Sequence, residues 1–509
     1  MRIGGLASGM DTENIIKELM AAERIPLDKL EQNKTKTEWQ RDAFRDINKQ
    51  ISELELLISN MRLNSNSINP KTVTSSLPGA VTATGSSASS NGAYKIAVTE
   101  LASTAINVGT EKKSKSDIDT WISNKVGQNI TFHTYGEADE ENPTAGMRER
   151  TVNIEENDTI ESVVKKINAE DKNIRAFYDE TSGQFVMETK RSGDYNTDKD
   201  DGYNGAEIRF DSGGGSFFEF VGMDATNEQG GTDAKFTYNG VVDLTSKENK
   251  YTMNGMTFTF NDVTGVDESG EPISATLSVT NDVDKAMENI TEFVEKYNAL
   301  VETLNTSKNE PRYRDFPPLT DAQKEEMSEK QIELWEEKAK SGLLKGDSII
   351  SGALSGMRST LYSVIDNDSE FRLLTDIGLS TTEDYLDGGK LEIDEGKLRT
   401  ALENDPDSVQ NLLFNSSDGD ERGLLNRIED SLESTISRVE ERAGKGSFTN
   451  EMFTMGRELD DFDNRIKAFE DRMKQVEDRY WRQFNAMEQA ISMMNNQSSM
   501  LMSFGGNGM

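Results

Sequence analysis

The chain reads as an α+β multidomain protein, with long terminal helices forming coiled-coil or bundle legs and antiparallel β-rich head domains inserted between them. Three observations predict this class. Apolar side chains recur at three- and four-residue steps near both ends, the middle switches to a two-residue period broken by hairpin turns, and helical patterning then returns.

The C-terminal stripe is the longest. Phe448, Met452, Met455, Leu459, Phe462, Ile466, Phe469, Met473, Val476, Tyr480, Met487, Ala490, Met494, Leu501 and Phe504 repeat with alternating steps of four and three, and only Gln483 and Gln497 interrupt them. A 3.5-residue period keeps one seam of a helix against a partner, and the 57 residues of this run predict a rod of roughly 85 Å. Each buried Leu- or Phe-sized side chain contributes about 1.5 to 3 kcal/mol. The seam therefore needs a cover, and its length favours packing between subunits.

At the other end Ile15, Ile16, Leu19 and Met20 open an apolar face, and Phe44, Ile47, Ile51, Leu54, Ile58 and Met61 continue the same spacing. After Asn69-Pro70 the composition turns to Ser, Thr, Gly and Ala through Asn91-Gly92, and helix gives way to strand. Tyr94, Ile96 and Val98, then Thr257 to Phe260 and Ala275 to Val279, alternate as half-buried strands do. Asn239-Gly240 and Asn254-Gly255 are two-residue hairpin signals, because both central positions accept positive φ. Between these strands residues 116 to 232 form a mixed segment with a short helix from Thr159 to Ala169.

Helix resumes behind a cap at Asn281 or Asp282, with the stripe Val283, Met287, Ile290, Val294, Tyr297, Val301 and Leu304. An acidic insert follows at 310–342, where Thr320 and Gln323 form a capping box ahead of Ile332, Leu334 and Trp335. Ile350, Leu354, Met357, Leu361 and Val364 make another core face, and Asp405-Pro406 precedes Val409, Leu412 and Phe414. The ends thus nest around the middle. The predicted domains are terminal helical segments at 1–40 and 447–509, a bundle at 41–70 and 284–446, a β-rich domain at 71–115 and 233–283, and an α+β distal domain at 116–232.

Composition narrows the function. Ninety-two acidic against 56 basic residues give a formal net charge of −36, which repels phosphate backbones and argues against nucleic acid or anionic lipid as a partner. No run approaches the ~20 apolar residues that cross a bilayer, and the first residues are too short and broken an apolar stretch for a cleaved signal peptide. With no cysteine and a single histidine, His133, set in a strand-like run, catalytic chemistry has almost no inventory. Asn196, Asp198, Asp200 and Glu207 stand at calcium-loop spacing, but Asp201 occupies the place of the sharp-turn glycine, so a solvated acidic loop is favoured there. No catalytic residue, metal or cofactor is expected.

Several motifs carry a resemblance. Gly4-Gly5-Leu6-Ala7-Ser8-Gly9-Met10-Asp11, with Ile15-Ile16 and Glu23-Arg24-Ile25-Pro26-Leu27, is similar to the N-terminal signature of the flagellar hook-associated protein 2 family. Thr151 to Ile154, Ile167 to Ala169 and Gly183 to Met187 resemble the flagellin hook IN motif found in that family. Gly342 to Asp347, Ile377-Gly378-Leu379 and Leu391 to Leu398 resemble its C-terminal domain, and the 310–340 insert looks like versions in Gram-positive members.

The resemblance implies a filament cap: a homo-oligomeric ring, a pentamer, at the flagellar tip, exported unfolded without a cleaved leader and assisting flagellin polymerisation. It also implies flagellin, hook–filament junction proteins and an export chaperone as partners. A flagellin-like or junction subunit and an extracellular adhesin are the alternatives. The subunit and filament interface is expected on the seams, at Ile15, Ile16, Leu19, Met20, Phe462, Ile466, Phe469, Met473, Val476, Tyr480, Met487, Met494, Leu501 and Phe504. The segments Asp11 to Met20 and Phe448 to Phe504 are expected to be poorly ordered in the free subunit and to gain order on assembly, with Met-rich seams adapting to unlike neighbours.

Overall fold

The fold is that of a computed structural model that describes residues 10–64, 66–138, 143–198, 205–210, 215–367 and 369–505. The signature residues Gly4 to Gly9 lie outside that set, as do Asp200, Asp201 and the tail after Gly505. Two compact units divide the chain, one built from both ends, residues 1–68 and 283–509, and one from residues 69–282.

In the first unit a single helix runs from Thr12 to Leu63 without a break near residue 40. Asp11 caps it, its side chain accepting the Asn14 amide at 3.0 Å. The stripe from Phe44 to Met61 is buried throughout and meets the buried faces of the helices Val283–Asn309, Ser348–Leu361 and Leu424–Ala443 in one core. Tyr297, fully buried, donates its hydroxyl to the Gly389 carbonyl at 3.3 Å. Asp405 caps the helix Pro406–Phe414, whose first position suits proline because no amide is needed there. Val364 departs from expectation: the helix stops at Leu361, so Ile365 is buried and Val364 is 53% exposed.

The C-terminal helix also departs. It begins at Thr454, not Phe448, and runs to Gly505. Gly444 ends the preceding helix at φ 66°, and a side chain there would meet the Phe453 ring at 2.5 Å. Phe453 thereby fills the core with Arg45 5.3 Å from its ring centroid, while Met452, in a 3-10 turn, faces water at 57% exposure. Phe448 packs only partly against the core.

The second unit is antiparallel throughout its named sheets. A five-stranded sheet orders Lys71–Ser75, Ala275–Asn281, Gly92–Glu100, Ala234–Tyr238 and Val242–Ser246, and a three-stranded sheet orders Lys250–Met253, Met256–Phe260 and Val81–Gly85. Both predicted hairpins form, with Asn239 at φ 53° before Gly240 and Asn254 at φ 51° before Gly255. A separate core draws on Ile118 to Met223, and the IN-like residues lie inside it: Val152, Ile154, Ile167, Phe185 and Met187 are all buried there. The helix Ile160–Glu170 starts one residue after Thr159, whose amide is accepted by the Ser162 hydroxyl at 2.9 Å.

Candidate functional site

The terminal helices cover one another in part. The N-terminal helix pairs with the C-terminal one, the Lys34 ammonium meeting the Asp463 carboxylate at 2.5 Å and the Tyr480 hydroxyl donating to Glu23 Oε1 at 3.2 Å. Because the higher number on one helix meets the lower on the other, the two run antiparallel. The hydrogen bond to Asp463 raises the Lys34 pKa above its ordinary value. Pro26 lies inside the N-terminal helix and removes the amide that would bond the Ala22 carbonyl. Leu27 is buried and Glu23 is tied to Tyr480, so contacts on both sides of the proline hold that turn in place.

The sequence-predicted seam residues whose side chains are described fall into three groups. Ile16 and Val476 are buried, while Ile15, Met20, Phe462, Ile466, Phe469, Met473, Tyr480 and Met487 are half-buried. Leu19 is 37% exposed and Met494 64% exposed. Leu501 and Phe504 lie on the helical backbone, with side chains outside the described set. Both helices are present in the chain, and each gains partial cover from the other.

The register also shifts. After Tyr480 the half-buried apolar positions are Trp481, Phe484, Met487 and Ile491, the last three continuing the seam, while Ala490 is exposed. Two consecutive steps of four absorb the break at Gln483, as a stutter does in a coiled coil. Phe484 and Ile491 were missed because a strict heptad count steps past them. Beyond Tyr480 the stretch 481–505 rises roughly 37 Å, whereas 12–22 before Glu23 rises roughly 17 Å. The C-terminal helix thus outruns its described partner, and Met493, Met494 and Met500 on it are 64 to 65% exposed.

His133 and the calcium-like spacing both fall in the second unit, and Asp200 of that spacing lies outside the described residues. His133 lies on the strand Asn129–Gly136, its Nε2 3.9 Å from the Glu149 carboxylate. Asn196 and Glu207 are buried, not solvated: the Asn196 amide donates to the Ala206 carbonyl at 2.8 Å and Glu207 Oε1 accepts the Tyr195 amide at 3.1 Å. Burial pushes the Glu207 carboxyl above its ordinary pKa. Glu55, Glu429 and Glu433 bring carboxylate oxygens within 4.8 Å of one another, and Arg62 binds Glu429 through two nitrogens at 3.0 and 3.2 Å. Among the described residues no helix is long and apolar enough to cross a membrane.

The family models described as flagellar hook-associated protein 2 C-terminus and N-terminus match residues 231–496 and 8–105. The chain belongs to the flagellar hook-associated protein 2 family. A flagellar hook-associated protein 2 from Halalkalibacterium halodurans is 37% identical over 546 residues, covering 99% of each chain. The A-type member from Pseudomonas aeruginosa is 27% identical, covering 97% of this chain and 95% of its own. The crystal structure of the flagellar cap protein FliD D1-D2-D3 domains from Escherichia coli aligns with a TM-score of 0.55 at 19% identity, over 76% of this chain and 96% of that one. At that identity the likeness speaks for the fold, and the fold is the family's α+β multidomain type.

Proposed function

We propose that this chain caps the tip of a bacterial flagellar filament as a homo-oligomeric ring, a pentamer, that promotes flagellin addition and prevents subunit loss. The single observation that carries the proposal from fold to function is the overhanging seam. A helix that outruns the described part of its partner by roughly 20 Å, with three methionines on it about two-thirds exposed, offers apolar surface that a neighbouring copy or the filament end covers.

The subunit and filament contacts are placed on Ile15, Leu19 and the seam from Phe462 to Phe504, with the middle of that seam serving first to hold the two terminal helices together. Methionine side chains suit a contact that must be remade with unlike neighbours, since they are unbranched and polarizable. The four-part division of the chain at 1–40 with 447–509, 41–70 with 284–446, 71–115 with 233–283, and 116–232 belongs to this proposal. So do hook–filament junction proteins and an export chaperone as partners, export without a cleaved leader, and the absence of enzymatic activity. Deleting residues 462–509 is the test: filament capping and flagellin polymerisation are expected to be lost, and a truncated protein that still supports both contradicts the proposal.

A further inference from the structure

The charge of the chain is −36, yet one cleft in the helical unit is cationic. It encloses about 690 Å³ where the start of the insert meets the loop before the helix Ser348–Leu361, and Arg312, Arg314, Lys345 and Arg442 line it against a single carboxylate, Asp347. Asp347 is already engaged, pairing with Arg442 at 3.3 Å and capping the Ile349 amide at 2.8 Å. Among the described residues Arg312, Arg314 and Lys345 make no ion pair. Lys36 stands close enough to Arg312 that, after burial, this like charge is the next cause lowering its pKa. In a molecule rich in carboxylates, a group of crowded cations without counter-charges is a site that an anionic partner relieves.

The same insert carries the complement. Its helix Glu329–Lys340 turns one side inward, where Trp335 donates to the Pro317 carbonyl at 2.7 Å and the Lys340 ammonium lies 4.8 Å from the Trp39 ring centroid. On the outer side Glu329, Glu333 and Glu337 are exposed at four-residue intervals, a row of carboxylates about 6 Å apart along the axis. Glu333 is engaged only by Lys330, itself 71% exposed, and Leu334 stands among them half-exposed.

We propose that the Glu329, Glu333 and Glu337 face of one copy docks into the Arg312, Arg314 and Lys345 cleft of a second copy. Donor and acceptor surfaces differ, so the contact is head-to-tail, the kind that generates rings when the rotation closes. Both surfaces come from the segment 312–345. This inference rests on the proposal that the chain assembles with itself.

The test is sedimentation velocity of the full chain at low and high salt. Arg312→Glu with Arg314→Glu, and separately Glu329→Lys with Glu333→Lys and Glu337→Lys, are each expected to weaken self-association by about tenfold or more at low salt, since like charges are then juxtaposed. An equimolar mixture of the two variants is expected to recover association, as is the chain carrying all five changes. Lys345→Glu gives the same readout should the double arginine variant not fold. Unchanged association in the variants, no recovery in the mixture, or a wild type that stays monomeric overturns the contact. A wild type that assembles through these charges yet fails to promote flagellin polymerisation overturns the capping proposal instead and leaves this contact standing.

Discussion

The two halves of the N-terminal helix share one spacing and differ in cover. From Phe44 to Met61 every stripe residue is at most 6% exposed, sealed by three other helices, while on the half before it Leu19 is 37% and Ile25 54% exposed beside a single partner helix. The lesson is that periodicity marks which face of a helix wants burial but not who buries it. The C-terminal half of the helix belongs to a finished core, and the N-terminal half to a two-helix pair with an open flank among the described residues.

The comparison breaks most readily in the core. Phe44→Ala is expected to cost about 3 to 5 kcal/mol of stability, because Phe44 is fully buried under Arg442; denaturant unfolding of the helical unit measures it, and a loss below about 1 kcal/mol would erase the distinction between the halves. Ile16→Ala sharpens the other side. Here about 2 kcal/mol is expected, and it should show as local opening in amide hydrogen exchange over residues 12–35 while the exchange of 44–61 holds.

Smaller effects follow from charge. Glu207 binds its proton more tightly folded than unfolded, since burial raises its pKa, so the folded state takes up protons as pH falls toward that range. Its contribution is therefore fully present below the ordinary carboxyl range near 4.5 and is lost as pH climbs through the raised value. Glu207→Gln is expected to flatten that slope in melts of the β unit; an unchanged slope contradicts the assignment. Lys34→Ala with Asp463→Ala in a double-mutant cycle should give a coupling of about 0.5 to 1 kcal/mol, because both side chains are part-exposed. Smallest of all, Met494→Ala should change single-chain stability by less than about 0.5 kcal/mol while impairing capping, the inverse of Phe44→Ala.

Much of this was legible from sequence. The Asn-Gly hairpins formed because only φ-tolerant residues close such turns, and the stripes at Phe44 to Met61 and Ile290 to Leu304 found the core because their spacing leaves them no other face. What escaped were places where tertiary contacts overrule a pattern. The helix expected from Phe448 starts six residues later because Gly444 reverses the chain and Phe453 is needed in the core. Asn196 and Glu207, expected in a solvated loop, are buried by hydrogen bonds to the Ala206 carbonyl and the Tyr195 amide, which spacing does not encode. Phe484 and Ile491 escaped a rigid heptad count, and the cover of the seam by the chain's own N-terminal helix was hidden by the roughly 450 residues of sequence that separate Glu23 from Tyr480.

The central claim is that the end of the C-terminal helix is left for other subunits to cover. Amide hydrogen exchange across residues 493–505, compared between the dilute single chain and the assembled cap, tests it directly. Rapid exchange in the dilute chain and strong protection in the assembly is the predicted result; equal protection in both would contradict it.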